Sequence, residues 1–199
     1  MSLKNEALIN WLRVRLNNRR MNFIENTQGY KESAVLIPLV ERCDEFYIIF
    51  TQRTNDLPHH KGQISFPGGK VESRDKDFID TVLRETEEEI GVKRNFIDIL
   101  GRLDDELTLV SNFIIHPFVG FLNNISCFEI NQREVQSIIE VPLKFFLEIG
   151  AELENYDVPY ENSIINTKAY KYADKLIWGA TCRIMMKFVR ILKEYTQFT

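Results

Sequence analysis

Three cysteines in 199 residues, none in a CxxC spacing, leave no framework for disulfides and no thiolate metal site. Cys43, Cys127 and Cys182 lie far apart, and an odd, scattered set reads as reduced thiols. No apolar run reaches membrane-spanning length, and the N-terminus lacks the apolar core of a signal peptide. The last residues, Gln197-Phe198-Thr199, are not the peroxisomal address Ser-Lys-Leu. These absences lead us to expect a cytoplasmic protein without membrane attachment. Excess positive charge is missing too: the net charge is −4, which gives no reason to expect a nucleic-acid partner. Histidine is scarce. His59 and His60 share a Pro-containing loop where no partner acid is placed by sequence, so they read as an exposed pair. His116, inside an apolar strand, reads as a satisfied core or rim histidine. Ser65 and Ser111 have no recognisable nucleophile context.

What is present describes a chain with a core. Hydrophobic residues make up 44% and aromatic residues 12%, enough to argue against disorder. One domain over 1–199 is the default at this length, and no repeat or low-complexity tract interrupts it. Residues 7–21 read as a helix with Leu8, Trp11, Leu12, Val14 and Leu16 as its apolar set, forming an N-terminal extension over 1–30. Its Arg13, Arg15, Arg19 and Arg20 read as a solvated face or a homodimer contact, ahead of a polyanion site. Segments 33–40, 45–51, 96–103, 113–122 and 163–171 read as strands, and 178–194 as a closing amphipathic helix. Strands and helices mixed without regular βαβ repetition predict an α/β protein, a mixed β-sheet covered by helices. Asp104, Asp105 and Glu106 read as a solvated acidic turn, and Trp178 as a packing residue.

The most informative stretch runs from Phe66 to Val92. Arg84-Glu85-Thr86-Glu87-Glu88-Glu89 holds four glutamates in five positions, and like charges three and four apart repel on a helix. At about 100° per residue, Glu85, Glu88 and Glu89 share roughly one 100° arc, with Arg84 and Glu87 pointing elsewhere. Converging carboxylates are hard ligands of the kind Mg²⁺ or Mn²⁺ takes while holding substrate phosphates. Phe78, Ile79, Val82, Leu83 and Ile90 form the apolar stripe that makes the helix, Ser73 or Asp75 is expected to cap its start, and Gly91 its end. A solvated acidic face is the ordinary reading of such a run; the residues ahead of it favour the metal reading. Phe66-Pro67-Gly68-Gly69-Lys70 is a tight turn whose paired glycines let backbone approach a ligand closely.

Turn and helix together resemble the signature of the Nudix hydrolases. That signature runs Gly, five residues, Glu, seven residues, Arg-Glu, an apolar residue, any residue, Glu-Glu, any residue, Gly, an apolar residue. Gly69 is followed by five residues and then Asp75 in place of Glu. Eight residues rather than seven separate Asp75 from Arg84, and Thr86 stands at a usually apolar position. The acid-plus-eight spacing is similar to the coenzyme A pyrophosphatase branch, whose second motif runs Leu-Leu-Thr, any residue, Arg, Ser or Ala, three residues, Arg, three residues, Gly, three residues, Phe-Pro-Gly-Gly. Here Ile49-Phe50-Thr51-Gln52-Arg53-Thr54 leads at the same spacing to Gly62 and to Phe66-Pro67-Gly68-Gly69. Thr54 replaces the small residue, and Pro58 stands where the motif has its second Arg, so Lys61, His59 or His60 is left as a nearby cation. Residues 115–120, 140–143 and 177–181 resemble a later strand, the turn before the next element and the start of the last helix in that branch.

The resemblance implies an α/β/α sandwich of the Nudix type, with a metal-binding loop-helix box over 66–92. It implies a pyrophosphohydrolase using Mg²⁺ or Mn²⁺ and cleaving coenzyme A or acyl-coenzyme A to 3′,5′-ADP and a 4′-phosphopantetheine product. Glu85 and Glu89 are the best-placed pair for a cation, and Glu88 is a further ligand or the base that orients water. Arg84 is expected to orient Glu85 or brace the glycine turn, and Gly68 and Gly69 to admit phosphates. Arg53 and Gly62 belong, by the resemblance, to the coenzyme A segment. A base outside the helix stays open. So do another substrate, such as an ADP-sugar or dinucleoside polyphosphate, and a non-catalytic nucleotide-binding regulator.

Overall fold

The computed structural model describes residues 3–25, 27–54, 62–108, 112–148, 154–160 and 163–196. The readings of Pro58, His59, His60, Lys61 and Ser111 fall outside the described residues. In chain order the elements are α1 (Leu3–Asn18), β1 (Lys31–Arg42), β2 (Glu45–Arg53), β3 (Ile64–Ser65), β4 (Gly68–Lys70) and α2 (Phe78–Ile90). A 3-10 turn (Arg94–Phe96) leads to β5 (Ile97–Arg102), β6 (Glu106–Leu107), β7 (Phe113–Leu122), β8 (Val135–Pro142) and α3 (Leu143–Glu148). The chain closes with β9 (Glu154–Tyr160), β10 (Ser163–Tyr172), β11 (Lys175–Trp178) and α4 (Gly179–Thr196).

The larger sheet is mixed. β1 runs parallel to β7 over ten residue pairs, from Lys31↔Phe113 to Val40↔Leu122, and the other pairings in it are antiparallel. Both faces are covered, which is why β1 and β2 are nearly continuous in apolar residues and do not alternate with polar ones. Ala34, Leu36, Val40 and Ile49 face α2, packing with Val82, Ile90 and Phe118. Ile37, Leu39, Ile48 and Phe50 face the opposite side, where α1, α3 and α4 contribute Leu12, Leu16, Phe146 and Phe188. This is the expected α/β/α sandwich. The second sheet is a meander in the order β11-β10-β9, and β11 packs against β3. No described helix is long and apolar enough to cross a membrane.

Three sequence expectations shift. The first helix begins and ends earlier than 7–21, and its buried set is Ile9, Leu12 and Leu16, spaced three and four apart, while Val14 is 61% exposed on the far side. Three of its four arginines are paired within the chain, while Arg20 is exposed as a solvated residue would be. Arg13 bonds Asp98, Arg15 bonds Glu194 at 2.6 Å, and Arg19 bonds Asp104 at 2.5 Å, so the helix is docked on its own chain. Residues 140–143 are not a turn: β8 runs through Pro142 directly into α3, with proline at the terminal strand position where its missing N–H costs little.

Leu12 is fully buried, so Leu12→Ala is expected to lower unfolding free energy by about 2–5 kcal/mol. Val14→Ala should change it by less than about 0.5 kcal/mol. Urea denaturation of both variants checks this, and equal small effects would mean that the helix is not docked.

Candidate active site

The sheet itself makes the place for the glycine turn. β1 and β2 pair only from Leu39↔Ile48 to Arg42↔Glu45, and then they part. Into the gap come β3, paired to β2 through Thr51↔Ser65, and β4, paired to β1 through Ser33↔Lys70 to Val35↔Gly68. Phe66 anchors the turn: it is buried and stacks on Phe50 at 4.9 Å between ring centroids. The approach of the turn to its neighbours excludes side chains. At Gly68, φ is +150° and a Cβ would lie 2.3 Å from the Ala34 carbonyl oxygen; a Cβ on Gly69 would lie 2.4 Å from Glu85 Oε1.

α2 carries the acids. Its start is capped by Asp77, whose side chain accepts from the Asp80 N–H at 2.8 Å, in place of the expected Ser73 or Asp75. Gly91 ends it in the left-handed conformation, as expected. The buried face is Thr81, Val82, Thr86, Glu89 and Ile90, while Ile79 is exposed, so the apolar stripe is narrower than the sequence suggests. Thr86 tolerates its usually apolar position because its hydroxyl donates to the Val82 carbonyl at 2.7 Å.

Asp75 is released from capping to hold Arg84. Arg84 Nε and Nη2 donate to the two Asp75 oxygens at 2.8 and 2.9 Å, a forked pair with little solvent exposure. The guanidinium holds the Asp75 carboxyl well below the usual range, and Asp75 in turn raises Arg84. Arg84 therefore does not point away from the acids. Nη1 reaches Glu85 at 2.8 Å and Glu88 at 3.0 Å, and Nη2 reaches the Lys70 carbonyl at 3.2 Å. This one group thus touches both Glu85 and the glycine turn.

Glu85 and Glu89 line a cavity of about 530 Å³ together with Gly68, Gly69 and Arg53. Glu88 does not line it: its side chain is 46% exposed and is also held by Arg74 at 3.1 Å. Gly62 lies outside the lining and accepts from Gln52 Nε2 at 3.4 Å. Arg53 brings a cation to the lining, and among the described residues its Nε is buried without a hydrogen-bond partner.

A further carboxylate of the lining, Glu134, was not expected from the sequence. It lies between elements, in a stretch with no periodicity or motif, and long-range backbone bonds place it. Asn131 and Glu129 N–H groups donate to the Glu89 and Ile90 carbonyls at 3.0 and 3.1 Å, and Thr54 N–H donates to the Glu134 carbonyl at 3.0 Å. Burial raises Glu85 against the pull of Arg84. Burial, then the Glu85 charge, pushes Glu89 up to about 8, with the Gly68 N–H at 3.3 Å and Arg53 opposing. Among the described residues no three acidic, histidine or cysteine side chains form a finished metal cage. The donor set still fits a hard divalent ion that takes one or two carboxylates and completes its shell with waters and substrate phosphates.

Asp104, Asp105 and Glu106 are not a solvated turn. Asp105 and Glu106 are buried, and Glu106 binds Arg183 at 2.6 Å and Lys187 at 2.7 Å. Asp105 lies 2.9 Å from Nδ1 of His116; burial opposes its ionisation, but His116, the Ile24 N–H and Arg102 hold it low. His116 is buried as expected but only half satisfied: Nδ1 meets Asp105, while Nε2 has no hydrogen-bond partner among the described residues, and the ring stacks on Phe78 at the start of α2 at 3.8 Å.

The raised Glu89 has a stability consequence. The folded, metal-free protein holds this proton more tightly than the unfolded chain, so the contribution is full below about 4.5 and is lost as pH rises toward 8. Glu89→Gln removes that loss, and in EDTA it is expected to melt higher than wild type at the upper end of the range. Thermal melts across pH check this, and parallel curves for the two proteins would refute it.

Residues 30–136 match the NUDIX domain family. The uncharacterized Nudix hydrolase NudL of Yersinia enterocolitica is 34% identical over 160 residues, 79% of this chain and 80% of that protein. Nudix hydrolase 22, chloroplastic, of Arabidopsis thaliana is 34% identical over 170 residues, covering 82% of this chain and 56% of that protein. The crystal structure of a MutT/nudix family protein from Enterococcus faecalis shares the fold, with a TM-score of 0.55 at 16% identity over 97% of this chain and 70% of that one. A family match across more than half of the chain, joined to 34% identity along most of a relative's length, makes this protein a member of the Nudix hydrolase family.

Proposed function

We propose that this Nudix hydrolase cleaves the diphosphate of coenzyme A or acyl-coenzyme A, giving 3′,5′-ADP and (acyl-)4′-phosphopantetheine. The observation that carries this reading is the position of Arg53. The residue belongs to the second, coenzyme A-type motif, and it lines the same cavity as the signature residues Glu85 and Glu89, with a buried nitrogen unpartnered among the described residues. A guanidinium so placed is suited to a phosphate oxygen, and a diphosphate would supply the missing acceptor.

Glu85 and Glu89 would hold Mg²⁺ or Mn²⁺, with Gly68 and Gly69 keeping the approach open to substrate oxygens. Such an ion, when bound, neutralises phosphate charge and lowers the pKa of its water. Arg84 fixes the Glu85 carboxylate and the turn in one geometry, so the donor atoms need no rearrangement when substrate arrives. Glu88 bears on the site through Arg84, sharing the same nitrogen as Glu85. Glu134 lines the cavity from outside the helix and takes the proton of the attacking water, the role left open by the sequence. The raised position of Glu89 suits a ligand whose charge is stabilised by a cation.

Turnover of coenzyme A, ADP-ribose and diadenosine polyphosphates with Mg²⁺ or Mn²⁺, against EDTA, tests the reading, with products identified by mass. Coenzyme A is expected to be preferred and to release 3′,5′-ADP; preference for another diphosphate would overturn the substrate, and binding without turnover would favour a regulator. Glu89→Gln is expected to lower kcat at least about a hundredfold with the fold intact. Arg53→Ala should raise KM by about 10–100-fold, the loss of a charged hydrogen bond. Unchanged kinetics in either variant would remove that residue from the site.

A further inference from the structure

One wall of the cavity lies beyond the segment matched to the family, which ends at residue 136. It is made by β10, the end of β11 and the first turn of α4, through Ile165, Thr167, Trp178, Ala180 and Thr181. The period of two along β10 shows which face is turned inward: Ile165, Thr167 and Ala169 are covered or half-covered, while Ile164, Asn166 and Lys168 are exposed. Ile164, at 72% exposure, is on the outer face. An apolar residue, Ile165, is thus turned into the cavity by the strand geometry.

The charge distribution divides the cavity. Glu85, Glu89, Glu134, Arg53, Lys70, Gly68 and Gly69 are contributed by the family-matched segment. The C-terminal wall carries neutral side chains and one cation, Arg183, whose Nε and Nη2 are committed to Glu106 and to the Leu107 carbonyl at 2.6 and 2.9 Å. Coenzyme A has two arms leaving its diphosphate. The adenosine arm carries a further phosphate dianion, and the pantetheine arm is uncharged, alternating aliphatic stretches with two amides. A largely apolar wall bearing Thr167 and Thr181 matches the second arm, and the one cation among its described residues, Arg183, is already paired with Glu106.

Resting on the substrate reading above, we infer that β10, the end of β11 and the start of α4 form the binding site for the uncharged pantetheine arm and any acyl chain attached to it. The family segment holds the diphosphate, and this module selects what is attached to it.

The two halves of the substrate separate the outcomes. 4′-Phosphopantetheine and 3′,5′-ADP are each titrated by calorimetry, with Mn²⁺ present, into the full-length wild type, Ile165→Asp and Thr167→Trp. The first variant puts a charge on the wall and the second fills it; circular dichroism melts establish that each is folded. Expected is a loss of phosphopantetheine affinity at least about tenfold greater than any loss of 3′,5′-ADP affinity in the folded variants. An equal loss for both halves, a larger loss for 3′,5′-ADP, or no change for either overturns the inference while leaving coenzyme A hydrolysis by wild type standing. A wild type that binds neither half and does not hydrolyse coenzyme A overturns the substrate reading, and this inference with it.

Discussion

The guanidinium of Arg84 joins parts of the chain that no local interaction would bring together. Its fork grips Asp75, its remaining nitrogen is shared by Glu85 and Glu88, and it reaches the Lys70 carbonyl of the glycine turn. Loop, turn and helix are thereby fixed to one rigid planar cation. The side chain is only 10% exposed, so these bonds are made with little competition from water. Without that cation, Asp75 would be a buried carboxylate with its principal counter-charge removed, and the helix glutamates would repel at close range.

Around this hub the fold distributes tasks by layer. The parting of β1 and β2 opens a slot in the sheet that the β3–β4 segment fills, and α2 packs over the same strands, so backbone and carboxylate meet at Gly69. On the opposite face the docked α1 and the closing α4 complete the sandwich. The cavity spans both parts, with its charged lining drawn from the family-matched segment and its C-terminal wall from the later sheet and helix.

The parts legible in the sequence are those governed by local physics. The body of α2, its Gly91 terminus, the long strands and the convergence of Glu85 with Glu89 follow from periodicity and from chemistry near in sequence, whereas the start of α2 at Asp77 does not. The glycine turn was legible for the same reason. The misreadings share a different cause. Helix angle sets Arg84 beside Glu88, four residues on, but its long side chain also turns to Glu85 and to Asp75 in the preceding loop. Asp105 and Glu106 look like a solvated turn until Arg102 arrives from β5 and Arg183 and Lys187 from α4. Glu134 carries no local mark at all, because its place depends on hydrogen bonds to the far end of α2. Short strands such as β6 exist only through their partner β7, and no propensity within two residues announces them.

The stitching of residues 129–131 to the last carbonyls of α2 has a consequence for the acids themselves. The spacing of Glu85 and Glu89 is set by one helix, and that helix is tied by main-chain bonds to the loop from which Glu134 extends. Side-chain rotation can relax the crowding among these charges only within the limits that this shared backbone allows. Their crowding is therefore built in when the chain folds, and below about pH 8 the metal-free molecule relieves it by keeping a proton on Glu89. A cation held by Glu85 and Glu89 would take that proton's place, at a spacing already set by peptide hydrogen bonds that never touch it.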